Sequence, residues 1–410
     1  MTMKKSAELT ILANSPGEMS GWVAPVVKQV RELLPEIRIT IALIPDWFTS
    51  GREMEFASQL PVDRVVGVFT LLVEIWKNRD SCRARKNLVL FLGGDALYAK
   101  GLSALLKCPA MAFMPRVYHP NDFVKIFVPT TAEKERAIRK GADPGKLTVV
   151  PTLALDSVIP SGTAGEIKQR FGLPADARPI ISLMAGSRPS YAALSIDFML
   201  DIAGCLLREH PSARALLPVS PFLDRELALS VLRQRGMTWD AGPGGEVLFI
   251  GEDRRMLVVF AHSHDAFVVA DIAVVLPGTN NLQCAALGVP FVMLMPLNDI
   301  DKIPFEGLLG LLYPRFFPFN HIKKWIIAWM SPQVPCMSMV NRMAGRMLAP
   351  ELRGVLSPKG VTDAVSELWQ DTPRREKLRA ELLELTRERG AARMIAEAVC
   401  ENFISDQRLR

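Results

Sequence analysis

Three glycine-containing turns in this 410-residue chain each follow an apolar run and lead directly into a helical pattern: Ser15–Gly21 (SPGEMSG), Ala185–Arg188 (AGSR) and Pro277–Asn281 (PGTNN). A strand that enters a helix through such a turn points unpaired backbone N–H groups outward, and the helix dipole adds positive potential there. That arrangement favours an anion, typically phosphate. A single turn of this kind is ordinary in a parallel sheet, but three in one chain indicate an α/β protein that handles nucleotides.

The third turn lies within Val274–Pro290, VVLPGTNNLQCAALGVP, which has the clearest pattern of the three. Gly278 allows the backbone to approach a ligand closely, and Thr279 and Asn280 can cap the helix that follows. Gly288 ends that helix before the next strand. The segment therefore predicts a strand, an anion-binding turn and a helix in immediate succession.

An acidic side chain follows another apolar run. Asp95 comes after the buried strand Leu88–Leu92 and two glycines, and a helix is predicted from about Ala96 to Leu106. Ligands of open α/β sheets bind along the carboxyl ends of the strands, which is where Asp95 lies. An aspartate in this position can also cap the following helix, so both roles remain open.

Metal chemistry is not indicated. His262, His264 and Asp265 lie close together, but alternate residues point apart on a strand and about 200° apart on a helix, and no third distant ligand accompanies them. The six cysteines are widely spaced and include no CxxC pair, so neither a zinc site nor a disulfide framework is expected. We expect no metal.

Apolar strands and helical patterns alternate through both halves of the chain, which predicts two doubly wound parallel sheets. A connector rich in proline, glycine and serine, Pro151–Pro179, separates them. The predicted domains are residues 1–155 and 156–364. Within this scheme, one helix is expected across Phe69–Lys86 and another across Asp253–Ser263.

The composition is that of a globular protein on the apolar side, with 49% hydrophobic and 22% charged residues and a mean hydropathy of +0.17. No apolar run reaches the ~18–20 residues that cross a bilayer, and the N-terminal pattern breaks too soon for a signal peptide, so a cytoplasmic location is expected. The formal net charge of +6 suits an anionic substrate or an anionic lipid surface. No nucleic-acid-binding pattern is present, and we expect no nucleic-acid partner.

Two segments could contact a membrane. Phe69–Lys86 is apolar and ends in a basic cluster, and Asp301–Met330 mixes apolar and aromatic residues with lysine and arginine. The alternatives are a core-facing helix with a solvated end for the first segment, and a buried subdomain or a homodimer contact for the second.

Several of these stretches together resemble the lipid-A-disaccharide synthases and their relatives, which are inverting glycosyltransferases of the GT-B fold. The matching pieces occur in the family's order and span about residues 9–370; they are SPGEMSGW (Ser15–Trp22), GGD (Gly93–Asp95), AGSRP (Ala185–Pro189), PGTNNLQCAALGVP (Pro277–Pro290) and VNRMAGRMLAPEL (Val340–Leu352). The resemblance implies two Rossmann-like domains that face a cleft, with the C-terminal helices, about 365–410, packed back on the first domain.

The chain departs from the family pattern at three places. Trp22 stands where the first motif has Asp, Gln283 stands where the loop helix has Glu, and Thr49–Ala57 (TSGREMEFA) replaces a Gly-Gly-Met segment. These differences leave the fold prediction unchanged and leave open a related glycosyltransferase with another acceptor.

The resemblance assigns roles to single residues. Transfer of a sugar from a nucleotide diphosphate needs a base for the acceptor hydroxyl and positive potential for the departing diphosphate. Asp95 is the first candidate base and Glu18 the alternative, whereas Arg188 is the candidate for the diphosphate. Donor binding is assigned to Gly186, Ser187, Arg188, Gly278, Thr279, Asn280 and Gln283. Acceptor binding is assigned to Ser20, Gly21 and His119.

The family therefore implies a hexosyltransferase that moves N-acetylglucosamine, or an acylated derivative, from a UDP-sugar to a lipid-linked acceptor, without a cofactor. The expected partners are the UDP-sugar, the lipid acceptor and an anionic membrane surface, with peripheral attachment at the inner face of the cytoplasmic membrane. Two alternatives remain: a UDP-sugar 2-epimerase-like isomerase, and a non-catalytic protein that binds nucleotide or lipid.

Overall fold

The computed structural model describes residues 7–45, 50–260, 263–298 and 336–405. The chain divides into two compact units, one formed by Met1–Ser157 with Glu388–Arg410 and the other by Val158–Arg387. The segment Asp301–Met330, predicted as a membrane patch or a dimer contact, lies outside the described residues.

The sheet of the first unit has seven parallel strands in the order β3-β2-β1-β4-β5-β6-β7. The strands are β1 (Ala7–Ala13), β2 (Arg38–Leu43), β3 (Arg64–Gly67), β4 (Lys86–Phe91), β5 (Ala110–Phe113), β6 (Lys125–Val128) and β7 (Leu147–Val149). The central strand β1 is covered on both faces, which explains its continuous apolar run; Ile11 and Leu12, which point to opposite faces, are both fully buried. The strand order reverses between β1 and β4, where Ile11 pairs with Leu90. This reversal is the switch point at which Rossmann-type sheets bind ligands.

Helices connect these strands across the faces of the sheet. They are α1 (Pro16–Glu18), α2 (Ala24–Leu33), α3 (Glu53–Ser58), α4 (Val68–Lys77), α5 (Arg79–Arg83), α6 (Ala96–Leu106), α7 (Thr131–Arg139) and a C-terminal helix (Ala391–Ser405); a π-helix, Met19–Val23, joins α1 to α2. The single helix predicted across Phe69–Lys86 was wrong: the segment forms α4 and α5, and Lys86 begins β4. Asn78 breaks the helix with φ −117° and ψ 28°.

The second unit repeats the same plan. Its eight strands follow the order β10-β11-β12-β9-β8-β13-β14-β15. They are β8 (Ile180–Leu183), β9 (Arg214–Pro218), β10 (Trp239–Ala241), β11 (Val247–Ile250), β12 (Met256–Val259), β13 (Ile272–Val275), β14 (Phe291–Pro296) and β15 (Glu351–Gly354). From β12 to β15 the strands are parallel in the Rossmann order, and the switch point lies between β8 and β13.

Two short antiparallel strands, β10 and β11, extend this sheet beyond β12. The helix predicted across Asp253–Ser263 was wrong, because Met256–Val259 forms β12 instead. Four consecutive apolar residues fit a buried strand as well as a helical turn, and only tertiary pairing with β9 and β11 decides between them.

The helices of the second unit are α8 (Ala164–Arg170), α9 (Pro189–Glu209), α10 (Arg225–Gln234), α11 (Ser263–Val268), α12 (Asn280–Ala286), α13 (Met339–Ala344), α14 (Pro358–Gln370) and α15 (Thr372–Leu385); the C-terminal helix of the first unit, Ala391–Ser405, is α16. Within the described ranges, no helix has the length and apolarity needed to cross a bilayer.

The C-terminal helices divide between the two units. The sequence reading assigned about 365–410 to the first domain, whereas α15 packs within the second unit: Thr386 donates to the Ala285 carbonyl at 3.1 Å, and Leu382 is fully buried. Only α16 belongs to the first unit, where the Asp156 carboxylate accepts from the backbone N–H groups of Gly390 and Ala392.

Candidate functional site

Glu18 lies at the switch point of the first unit. Its carboxylate accepts from the backbone N–H groups of Asn14 and Ser15, at 3.2 and 3.3 Å, directly after β1. It also lies against Gly93, which follows β4, so closely that a Cβ added to Gly93 would overlap the carboxyl group. The ends of β1 and β4 therefore meet at Glu18, as expected for adjacent parallel strands.

Asp95 is exposed at the same edge of the sheet and caps α6. Its Oδ1 accepts from the backbone N–H of Leu97 at 2.9 Å. The capping role that the sequence left open is therefore present. Capping does not exclude action as a base, because the contact uses one carboxylate oxygen and the side chain is open to solvent.

Tyr118 lies near both carboxylates, and sequence reasoning missed it. Its hydroxyl donates to the carbonyl of Gly94 at 3.3 Å. Burial raises the pKa of the Tyr118 phenol, and the negative charges of Asp95 and Glu18 raise it further. The phenol, Asp95 and Glu18 thus share one electrostatic environment. The signal was available, because Tyr118 follows β5, the strand next to β4.

His119, a predicted acceptor residue, is exposed beside this group. It has a left-handed backbone, with φ 49° and ψ 50°, and its ring meets the ring of Tyr118 edge-on at 6.1 Å between centroids. The loop after β5 therefore brings His119 to the edge that carries Asp95.

The other two predicted acceptor residues lie in the π-helix. The Ser20 hydroxyl donates to the Pro16 carbonyl at 2.9 Å, and Gly21 is buried against Ala154. The neighbouring Trp22 packs edge-on against Phe113, with ring centroids 5.2 Å apart. These contacts hold the helix on its unit, and an acceptor role for Ser20 and Gly21 stays a prediction.

The two predicted donor turns of the second unit meet at its own switch point. Gly186 follows β8 with φ +85°, a conformation that favours glycine, and a Cβ placed on it would lie 3.6 Å from Leu276, which follows β13. Ser187 and the half-buried Arg188 continue the first turn, and Arg188 occupies the N-cap position of the 21-residue helix α9. The long helix adds its dipole to the positive charge of Arg188.

Asn281 fixes the second turn. Its side-chain amide donates to the carbonyls of Leu276 and Gly278, at 3.0 and 2.9 Å. Its Oδ1 atom is buried and has no hydrogen-bond partner among the described residues. The predicted side-chain cap by Thr279 was wrong: Thr279 occupies the N-cap position but makes no side-chain cap hydrogen bond.

Gln283 lies one turn along α12 from Thr279 and is 7% exposed. Its side-chain amide makes no hydrogen bond among the described residues. A buried amide without protein partners is available to a polar ligand, which agrees with the role the family resemblance gives this position. The next residue, Cys284, is fully buried, and burial raises the pKa of its thiol.

Around His264, the described residues form no metal site. Asp265 is buried and accepts from the Ser161 backbone N–H at 2.9 Å, from the Ser161 hydroxyl and from Arg170. His262 lies outside the described residues. No group of three or more metal-binding side chains occurs within the described ranges.

The VNRMAGRMLAPEL stretch is held together by hydrogen bonds around one buried side chain, that of Asn341. Asn341 is fully buried; it donates to Ala349 and to Glu351, and its Oδ1 accepts from the backbone N–H groups of Leu348 and Ala349. Glu351 also accepts from the N–H groups that begin α13. The family resemblance rested partly on this stretch. In the structure, its hydrogen bonds join α13 to β15.

Comparison with known proteins supports the same family. Residues 152–309 match the lipid-A-disaccharide synthetase family, LpxB. The lipid-A-disaccharide synthase of Myxococcus xanthus is 27% identical over 243 residues, which cover 58% of this chain and 53% of that protein. The synthase of Gluconobacter oxydans is 26% identical over 226 residues, 55% of this chain and 45% of that protein. The chain thus spans about half the length of the curated relatives it matches.

Solved structures agree with the fold. The S. aureus MnaA–UDP complex superposes with a TM-score of 0.58 at 11% identity, covering 98% of this chain and 97% of that one. The UDP-GlcNAc 2-epimerase of Neisseria meningitidis bound to UDP-GlcNAc gives 0.54 at 13% identity, over 96% and 100%. Acinetobacter baumannii MurG gives 0.51 at 11%, over 96% and 99%. The predicted resemblance and the GT-B fold class are confirmed.

Proposed function

We propose that this chain is an inverting glycosyltransferase of the lipid-A-disaccharide synthase type, which moves a sugar from a UDP-sugar to a lipid-linked acceptor. The observation that carries the proposal is the contact between the Gly186 turn and Leu276, the residue before the Pro277–Asn281 turn. Both turns lie inside the range that matches the family. Two adjacent glycine-containing turns that follow parallel strands, and one arginine at a long helix N-terminus, suit a diphosphate.

The second unit is assigned the donor. Arg188 and the N–H groups near Gly278 stabilise the negative charge that develops on UDP as the anomeric C–O bond breaks. Gln283 donates to and accepts from the ribose hydroxyls. The proposed donor is UDP-N-acetylglucosamine or an acylated derivative. No cofactor is needed, because a guanidinium and backbone dipoles supply the positive potential.

The first unit is assigned the acceptor. A carboxylate removes the proton from the acceptor hydroxyl, whose oxygen then attacks the anomeric carbon from the face opposite UDP, so that the configuration inverts. Asp95 is the first candidate because it is exposed, whereas Glu18 is half-buried and accepts from the backbone N–H groups of Asn14 and Ser15. His119 and Tyr118 border the acceptor.

A lipid acceptor requires access to a membrane, and α4 offers a surface for it. Phe69, Val73 and Trp76, at positions i, i+4 and i+7, are 57%, 52% and 67% exposed on one side of this helix. Lys77 and Arg79 follow at its end and are exposed. An aromatic and aliphatic stripe beside exposed cations fits an anionic bilayer surface, and we infer peripheral attachment at the inner face of the cytoplasmic membrane.

The membrane assignment is tested by sedimentation with vesicles of phosphatidylglycerol and phosphatidylcholine. The variant Phe69→Ser/Trp76→Ser should lose most of the binding, whereas Leu383→Ser, an exposed apolar residue of the second unit, should retain it. Equal binding by both variants would contradict the assignment of this surface.

The activity is tested by following UDP release from UDP-N-acetylglucosamine, with and without monoacylated and diacylated glucosamine phosphates as acceptors. Transfer predicts UDP release only with an acceptor, and loss of release in Asp95→Asn. Asp80→Asn, whose side chain is 95% exposed in the same unit, is the matched control and should keep the rate. Consumption of the UDP-sugar without an acceptor would favour an isomerase, and nucleotide binding without turnover would favour a non-catalytic protein.

A further inference from the structure

A second charged cavity lies at the opposite edge of the first sheet from Glu18 and Asp95. It has a volume of about 240 Å³ and is lined by residues that begin four parallel strands: Glu8 in β1, Arg38 in β2, Arg64 in β3 and Asn87 in β4. Its wall is completed by α4, α5 and the end of α6. The proposed glycosyl transfer uses none of these residues.

Positive charge exceeds negative charge in this cavity. Its lining contains three arginines, Arg38, Arg64 and Arg85, and two carboxylates, Glu8 and Glu74. Each carboxylate already pairs with an arginine of the same lining. Glu74 accepts from Arg64 at 2.7 and 2.8 Å. Glu8 accepts from Arg85 at 2.8 Å and from the Thr40 hydroxyl at 2.7 Å.

Arg38 forms the longest of the three ion pairs in this cavity. Its Nε atom is buried and has no hydrogen-bond partner, and it lies 3.6 Å from Glu8 Oε1, which is too far for a hydrogen bond. Its guanidinium donates no hydrogen bond within the described ranges. The Arg38 side chain is 33% exposed overall, but buried donors are normally satisfied, so its buried Nε–H group in a polar cavity indicates a missing acceptor.

A second unsatisfied polar group lines the same cavity. Thr10 in β1 is 3% exposed, and its hydroxyl makes no hydrogen bond among the described residues. The Thr10 hydroxyl and the Arg38 guanidinium line the same cavity, and proteins hold tetrahedral oxyanions with donors of these two kinds.

We propose that this cavity binds a phosphate group, held by the Arg38 guanidinium and the Thr10 hydroxyl, in a lining that carries one more arginine than carboxylate. The phosphate comes either from free phosphate or from the headgroup of a phospholipid. The second source is structurally connected to the surface, because Leu71, Glu74 and Ile75 of α4 line the cavity while Phe69 and Trp76 of the same helix are exposed.

The test is calorimetric titration of the full chain with inorganic phosphate, in the wild type and four variants. Arg38→Gln and the near-isosteric Thr10→Val should each weaken phosphate binding, Arg38→Gln by more than about tenfold. Arg139→Gln, a 70% exposed arginine outside the cavity lining, should bind like the wild type. Arg188→Ala should also keep phosphate binding, which separates this cavity from the proposed donor site.

The source of the phosphate is decided by adding glycerol 3-phosphate and vesicles of phosphatidic acid in phosphatidylcholine. If Arg38→Gln lowers binding to phosphatidic acid vesicles and glycerol 3-phosphate competes with them, the headgroup is the source; if only inorganic phosphate depends on Arg38, free phosphate is. Absence of phosphate binding, equal binding by Arg38→Gln, or loss of binding in Arg188→Ala alone would overturn the proposal. Thermal unfolding of each variant confirms that the compared proteins are folded.

Discussion

The carboxyl group of Glu18 occupies the space that a side chain on Gly93 would fill. Glu18 follows β1 and Gly93 follows β4, so this contact closes the switch point of the first sheet. A glycine is needed at position 93 because no methyl group fits between the backbone and the carboxylate. The position of one candidate base therefore depends on a residue that carries no functional group.

Gly93→Ala should displace Glu18 and lower any activity that depends on this edge by about 100-fold, the order expected when a reacting group is misplaced by about 1 Å. Gly101→Ala is the matched control, because Gly101 lies inside α6 with open space around it. Alanine there should stabilise the unit by about 0.5–1 kcal/mol and leave activity unchanged. Turnover assays and urea unfolding measure both effects, and equal activity in the two variants would contradict the role of the contact.

Glu351→Gln should destabilise the second unit by about 2–4 kcal/mol at neutral pH, because it removes a fully buried acceptor of several hydrogen bonds. Burial raises the pKa of Glu351, but hydrogen bonds from Ser338, Met337, Arg353 and Asn341 outweigh that effect and hold the pKa below its ordinary value of 4.5.

Because the pKa of Glu351 is lowered in the folded protein, the stabilisation that its ionised carboxylate supplies depends on pH. It is fully present above pH 4.5 and is lost as the pH falls through the lower folded-state value. The difference in unfolding midpoint between wild type and Glu351→Gln should therefore narrow below pH 4.5. Glu397→Gln, which breaks an exposed i,i+4 pair with Arg393, should change stability by no more than about 0.5 kcal/mol. A difference that stays constant down to acid pH would disprove the role of the ionised carboxylate.

The phenol of Tyr118 should ionise above the usual value of 10.0, because burial and then the charges of Asp95 and Glu18 raise its pKa. The absorbance titration of the wild type minus that of Tyr118→Phe isolates this phenol. Asp95→Asn should lower the Tyr118 pKa only partly, since burial is the larger cause and remains. An unchanged titration in Asp95→Asn would show that the two groups do not interact.

Gln283→Leu should weaken UDP binding by about tenfold, because it removes the amide but nearly keeps the volume. A uridine diphosphate that lacks both ribose hydroxyls should bind the wild type and Gln283→Leu equally, since the proposed contact is then absent in both. Gln283→Glu should bind UDP at least as well as the wild type. If Gln283→Leu weakened the binding of both nucleotides equally, Gln283 would only pack the helix.

The two Rossmann-like sheets followed from the alternation of strands and helices, and the turns at Gly186, Gly278 and Gly93 were predicted in their places. The approach of Gly186 to Leu276 was not, because two turns about 90 residues apart meet only through the parallel pairing of β8 with β13. The nearness of Tyr118 to Asp95 likewise depends on the pairing of β4 with β5.

Other features could not be predicted from the sequence because they depend on hydrogen-bond geometry. Thr279 has the residue type of a cap, yet Asn281 reaches back to the turn and fixes it instead. Asn341 and Glu351 were visible as parts of a motif, but their mutual contact needed the coordinates. The missed strand Met256–Val259 shows the limit of a four-residue apolar run, which carries no period of its own.

The most direct measurement is calorimetric titration of the full chain with UDP and with UDP-N-acetylglucosamine. We expect a dissociation constant of roughly micromolar order, with binding weakened at least about tenfold by Arg188→Ala. Arg208→Ala, an exposed arginine in the last turn of the same helix, should bind like the wild type. Absence of nucleotide binding, or equal binding by Arg188→Ala and Arg208→Ala, would contradict the assignment of the second unit as the donor site.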